Sequence, residues 1–121
     1  MSNINLGKFI VAKRNKIKLS SRQLALLCNI TPAYLNDIEK NKRIPSFEVL
    51  SNLAQKLKLK EEDIYKLFDL AAYGSNGKVP YDIADYIMKN DSLRQCIRRV
   101  IKNEDDSVWD KLLTGNVQEG L

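Results

Sequence analysis

The apolar residues of this chain recur at three- and four-residue intervals almost from end to end, a spacing that favours helices over strands. Alternating β-branched stretches are nearly absent. The longest apolar runs, Phe9 to Ala12 and Leu24 to Cys28, hold four and five residues. A membrane span needs roughly 20. No apolar signal core follows Met1, where Ser2, Asn3 and Asn5 are polar, so the chain reads as a cytoplasmic, non-secreted protein. Its 121 residues, 44% hydrophobic and 29% charged, suit one compact domain with an appendage.

A first helix is expected over roughly 5–16, with Leu6, Phe9, Ile10 and then Ile17 on one face. Ser20 offers an N-cap to a second, 21–28, whose Leu24, Leu27 and Cys28 point inward. Asn29 tolerates the left-handed turn that ends it. Thr31-Pro32 is the strongest start signal: a hydroxyl cap directly before a proline whose missing N–H costs nothing at the first helical position. The third helix runs over 32–40, with Leu35 and Ile38 inward, and Lys40-Asn41-Lys42-Arg43 ends it in a polar loop. Pro45-Ser46 restarts the chain as a fourth helix, 46–57, striped by Phe47, Leu50, Leu53, Ala54 and Leu57. Glu61, Glu62 and Asp63 suit the first turn of a fifth, 61–72, where the dipole favours acids.

Gly74-Ser75-Asn76-Gly77 is the one linker-like stretch. Val79-Pro80 opens a sixth helix with Ile83, Ile87 and Met88 on one side. Asn90-Asp91 caps a seventh, 92–102, bearing Leu93, Cys96, Ile97, Val100 and Ile101. A last segment, Ser107 to Leu113, holds Val108, Trp109, Leu112 and Leu113. The expected organisation is thus a domain over 1–73, a linker over 74–79, a helical extension over 80–114 and a frayed tail over 115–121.

Charge is divided unevenly. Residues 1–60 carry nine lysines and three arginines against three acids, a net of +9, whereas residues 61–121 carry −4. A basic half joined to an acidic half points to nucleic acid as the partner of the basic half, the alternative being a solvated surface. The chain has no histidine, which removes His-based acid–base chemistry, His metal ligands and Ser-His-Asp triads. Its two cysteines, Cys28 and Cys96, suggest neither a disulfide framework nor a zinc site. No nucleophile–base pair, metal cluster or Gly-rich phosphate loop is present, so no enzymatic activity, metal or cofactor is expected.

The second and third helices are short and joined only by the residues around Asn29-Ile30-Thr31, the arrangement of a helix-turn-helix whose second member enters the major groove. Ala25 is small where the two helices cross, and Ile30 can plug the core between them. Three stretches carry a resemblance: Ser20-Ser21-Arg22-Gln23-Leu24-Ala25, Asn29-Ile30-Thr31-Pro32-Ala33-Tyr34-Leu35, and Ile38-Glu39-Lys40-Asn41-Lys42-Arg43-Ile44-Pro45-Ser46. Together, over roughly residues 5–70, they resemble the Cro/C1-type (XRE) helix-turn-helix family. That resemblance implies an all-α, five-helix lambda-repressor-like DNA-binding domain, here with a short helical C-terminal extension. It also implies a transcriptional regulator, a repressor acting by occupying its operator.

The resemblance places Pro32, Ala33, Asn36 and Asp37 where base edges are met. Asn36 can pair bidentately with adenine, Asp37 can accept from cytosine N4, and Ala33 can touch a thymine methyl; solvation is the plainer alternative for the two polar residues. Ser21, Arg22, Thr31, Tyr34, Lys40, Lys42 and Arg43 fall where the backbone is contacted. Thr31 can cap and touch phosphate at once. Tyr34 can either lie over the backbone or pack half-buried. Ser21 departs from the family's frequent Gln, and Asn29 from its frequent Gly. Arg14 and Glu39 match a structural ion pair of the family. The helices after Gly77 are too small to bury a separate core, so dimerisation is expected, anchored by Leu93, Ile97, Val100, Trp109 and Leu112, with a lid over the fourth and fifth helices as the competing role. Arg94, Arg98 and Arg99 form a basic strip that is solvated or pairs with Asp91 and Glu104, a phosphate clamp being the alternative. The expected partners are an operator in double-stranded DNA and a second copy of the chain, with room for a protein or small-molecule effector. The alternative function is a protein-interaction module, an antitoxin or phage-type inhibitor acting through the C-terminal helices.

Overall fold

The computed structural model describes residues 4–115, and among these it has eight helices and no strand. They are α1 (Leu6–Lys16), α2 (Ser21–Leu27), α3 (Pro32–Glu39), α4 (Phe47–Lys56), α5 (Glu61–Gly74), α6 (Tyr81–Met88), α7 (Asp91–Asn103) and α8 (Ser107–Leu113). None is long and apolar enough to cross a membrane. Two compact units are present, one ending at Ala84 and the other beginning at Asp85, so the division falls within α6. Residues 116–121 of the expected tail lie outside the described residues.

Five helices begin by one local device. The side chains of Asn5, Ser20, Thr31, Ser46 and Asn90 accept from the backbone N–H of Lys8, Gln23, Tyr34, Val49 and Leu93, three residues on. Each satisfies a donor that the first turn leaves orphaned. Gln23 completes a capping box, its Oε1 accepting from Ser20 N at 2.8 Å. The helix ends are equally regular. Lys18, Asn29 and Lys58 take left-handed φ values of 60°, 57° and 56°. The next residue then donates back five positions: Leu19 N to Arg14 O, Ile30 N to Ala25 O, Leu59 N to Ala54 O. These are Schellman endings, and Leu19, Ile30 and Leu59 all pack partly buried against the core.

That core belongs to the first unit. Ile10, Leu24, Ala25, Leu35, Ile38, Leu50, Leu53 and Leu67 are fully buried, ringed by Leu6, Phe9, Cys28, Leu57, Phe68 and Ala71. α1 packs on α3 and α5, α2 on α3 and α4, and α4 on α5. Burial pushes the Cys28 thiol up from its ordinary pKa, which makes it a small hydrophobe here.

The structure corrects three sequence expectations. Leu27 is 48% exposed, because α2 buries Leu24, Cys28 and Ala25, an arc at whose edge Leu27 falls. Phe47 is exposed over part of its ring, stacking at 5.7 Å on Phe68 and 6.1 Å on Tyr81 rather than entering the core. α5 continues past residue 72 to Gly74, where Ile44 Cδ1 occupies the place a side chain would take, 2.7 Å from an ideal Cβ.

α1 is locked against the end of α3 by contacts that leave no room for a side chain. An ideal Cβ on Gly7 would sit 2.0 Å from Glu39 O, and Gly7 N donates to Asn41 Oδ1 at 3.0 Å. Asn41 is itself left-handed, φ 59°. On the other side, Lys13 Nζ donates to Asp63 Oδ2 at 2.8 Å and ties α1 to α5. That hydrogen bond holds the Asp63 carboxyl below its ordinary pKa.

In the second unit no residue of α7 or α8 is buried. On α7, Leu93, Cys96, Ile97, Val100 and Ile101 nevertheless gather within an arc of about 140°, taking about 100° per residue. The helix is amphipathic, and on its apolar arc Leu93, Ile97 and Val100 are half-buried while Cys96 and Ile101 are exposed.

Two outcomes follow from the α1 contacts. Gly7→Ala should lower stability by about 2–3 kcal/mol, as overpacking against backbone does, read as a lower urea midpoint. Asp63→Asn should weaken the fold at neutral pH, and its difference from wild type should shrink towards about pH 2, since a lowered carboxylate pKa stabilises above its ordinary value and that gain is lost on acidification.

Candidate nucleic-acid interface

α3 turns its apolar face inward and its polar face outward. Leu35 and Ile38 are fully buried, and at about 100° per residue Pro32, Ala33, Asn36, Asp37 and Lys40 share the opposite face. All of these are exposed except Asp37, which is half-buried. The Asn36 side chain has no hydrogen-bond partner among the described residues. Thr31 Oγ1 accepts from Tyr34 N at 3.0 Å, and its own O–H stays free to donate outward. At the start of α2, Ser21 is half-buried and Arg22 exposed.

The loop after α3 bends back over the helix. Lys40, Lys42 and Arg43 are exposed. Arg43 lies with its guanidinium carbon 5.5 Å from the centre of the Tyr34 ring and its Nε 3.8 Å from Asp37 Oδ2. Tyr34 is half-buried beneath it. Asn29, Ile30, Thr31, Tyr34 and Arg43 line a shallow open depression beside the α3 N-terminus. One hydroxyl and one guanidinium therefore meet beside the α3 N-terminus, chemistry that can hold a phosphate. Among the described residues no three His, Cys, Asp or Glu side chains cluster as a metal site requires.

Arg14 holds α3 from behind. Its Nε donates to Glu39 Oε2 at 2.9 Å and its Nη2 to Glu39 Oε1 at 3.2 Å, a bidentate pair. Its Nη1 donates to Leu19 O at 3.1 Å. One side chain thus joins α1, the turn into α2, and the end of α3. The two side chains are only 14% and 10% exposed.

Residues 10–64 match a family model described as helix-turn-helix. This stretch is similar to a Cro/C1-type helix-turn-helix domain. In that domain α2 and α3 are the paired helices, and α1, α4 and α5 close the core around them in a lambda-repressor-like fold. The chain is similar to two proteins of Mycobacterium tuberculosis, from strains CDC 1551 and H37Rv, each described as an uncharacterized HTH-type transcriptional regulator. Both are 37% identical over 59 residues, covering 49% of this chain and 42% of the relative. The match thus spans less than half of either relative. No solved structure matches significantly.

Sequence reasoning missed three members of this helix-turn-helix region and one contact between residues it had named. Gly7 and Asn41 carried no local signal, because their partners are 32 and more positions away in the chain. Gln23 was legible: a Ser followed three residues later by Gln is a capping-box pattern. The engagement of Asp37 by Arg43 depends on how the loop folds back. Glu39→Ala, which leaves Arg14 without its acid, should cost about 2–3 kcal/mol of unfolding free energy. A denaturation midpoint within error of wild type would show that the pair holds nothing.

Proposed function

We propose that this protein is a sequence-specific, double-stranded-DNA-binding transcriptional regulator, a repressor that reads the major groove with α3. The observation that carries this reading is the outward face of α3: an unengaged amide at Asn36 beside exposed Pro32 and Ala33, on a unit whose first 60 residues are strongly basic. Asn36 pairs with adenine and Ala33 meets a thymine methyl. Asp37, already near Arg43, reads cytosine only by giving up that partner, so Asn36 carries most of the base readout. Thr31, Tyr34 and Arg43 hold one phosphate at the depression by the α3 N-terminus. Ser21, Arg22, Lys40 and Lys42 take further phosphates along the groove. The name borne by both relatives, HTH-type transcriptional regulator, agrees with this reading.

In the same proposal, residues 1–73 bind DNA and residues 80–114 dimerise, with Leu93, Ile97, Val100, Trp109 and Leu112 as anchors. What supports it is the apolar arc of α7, on which no residue is fully buried. A homodimer presents two α3 helices to half-sites one helical turn apart, about 34 Å. Repression follows from steric occupation of an operator that overlaps a promoter.

Selection of bound sequences from a random DNA pool tests the whole proposal. Enriched, two-fold-related half-sites are expected; absence of binding even at low salt overturns it and leaves a protein-interaction module. Asn36→Ala should lose about 1–3 kcal/mol of discrimination at one operator position with non-specific binding intact. Lys42→Ala should lower the slope of log affinity against log salt by about one per site, measured by fluorescence anisotropy titrations at several salt concentrations.

A further inference from the structure

We propose that a second copy of this chain seats the Leu112–Leu113 end of its α8 in the groove between α7 and α8, with the basic flanks of α7 set against the acidic 104–110 segment of that copy. The inference rests on the homodimer reading above and says which surfaces meet. The groove is lined by apolar Leu93, Cys96, Val100, Val108 and Trp109, and Arg99 and Asp105 are its charged members. The chain's own α8 fills one wall and leaves Leu112 and Leu113 55% and 84% exposed at its outer end. The unit therefore displays an apolar slot and an apolar knob, and a two-fold axis can bring each to the other twice, as an isologous contact requires.

Charge decides between the ways two copies can meet. At about 100° per residue, Arg94 and Arg98 border one edge of the α7 apolar arc and Arg99 the other. Arg94 is engaged within its own unit, donating to Ile87 O at 2.9 Å, Met88 O at 2.6 Å and Asp91 Oδ1 at 3.1 Å. Arg98, Arg99 and Lys102 enter no ion pair among the described residues, and neither do Glu104, Asp106 and Asp110. Packing α7 on the α7 of a second copy sets cation against cation along both edges. Packing α7 on the other copy's α8 and the turn before it sets cation against acid, twice. Like charges facing each other across an interface are costly, and complementary ones fix register. The two unpaired sets within one unit are thus each other's partners across the axis, with Arg99 reaching Asp110 of the partner subunit.

Sedimentation equilibrium of the full chain tests this, with circular dichroism to confirm unchanged helix content in each variant. Wild type should dimerise. Arg99→Glu and Asp110→Lys should each weaken the dimer by about tenfold or more, and the double variant should return to within about threefold of wild type, since it re-forms the pair with its signs exchanged. Leu113→Asp should weaken the dimer without rescue by either charge change. A dimer that ignores all of these substitutions overturns the groove assignment and leaves the homodimer standing. Two weakened single variants with no recovery in the double overturn the pairing. A wild-type chain that stays monomeric at high concentration overturns both readings.

Discussion

The seating of α1 on the end of α3 is the constraint on which the first unit depends. Gly7 lets two backbones meet where a methyl group would lie 2.0 Å from Glu39 O. Asn41 fills the space beyond and accepts the Gly7 N–H, a donor that would otherwise be orphaned at a helix start. Arg14 grips the Glu39 carboxylate with two bonds and the Leu19 carbonyl with a third. The recognition-type helix is therefore held at its C-terminal end by groups facing away from its outward side. Pro32, Ala33 and Asn36 stay exposed on its outer face because the apparatus that fixes its angle lies behind it.

The remaining helices are set by local rules that agree with one another. Each of α2, α3 and α4 opens on a Ser or Thr that accepts a first-turn N–H. α1, α2 and α4 close on a left-handed residue followed by an apolar one that returns to the core. Two of those left-handed positions are lysines, Lys18 and Lys58, which bear a backbone cost that glycine avoids. The apolar residue after each one fixes the direction in which the chain leaves the helix, so the strain is offset by packing. Agreement between caps, ends and stripes is what allows a chain this short to hold one arrangement.

The second unit obeys the same local rules and lacks their tertiary counterpart. Asn90 caps α7 and Glu104 ends it in the left-handed region, and the apolar arc between them is continuous. Yet no residue of that arc is fully buried, and α8, which lines a groove with it, has only seven residues. Too few apolar groups are present to withdraw one another from water, the expected outcome for a segment of this size. The free energy of that arc, about 25 cal/mol for each Å² removed from water, is available to whatever covers it.

Much of this was legible in one dimension. Thr31-Pro32 marks the start of α3 because cap chemistry and proline's fixed φ act on neighbouring residues. Leu35 and Ile38 are placed inward by helical spacing, and the basic character of residues 1–60 is set by composition. Short α2 and α3 with a tight turn between them follow from the same signals, and with them the helix-turn-helix. What the tertiary structure decided are the contacts whose partners lie far apart in the chain, Gly7 under Glu39, Asn41 on Gly7 and Ile44 over Gly74, and the path of the loop that folds Arg43 back over Tyr34 to meet Asp37. It also decided that Leu27 stays at the surface. Local sequence specifies which residues share a helix face, because that depends on a fixed rotation per residue. Which face finds a neighbour depends on how helices cross, and that is settled only when the whole core is packed.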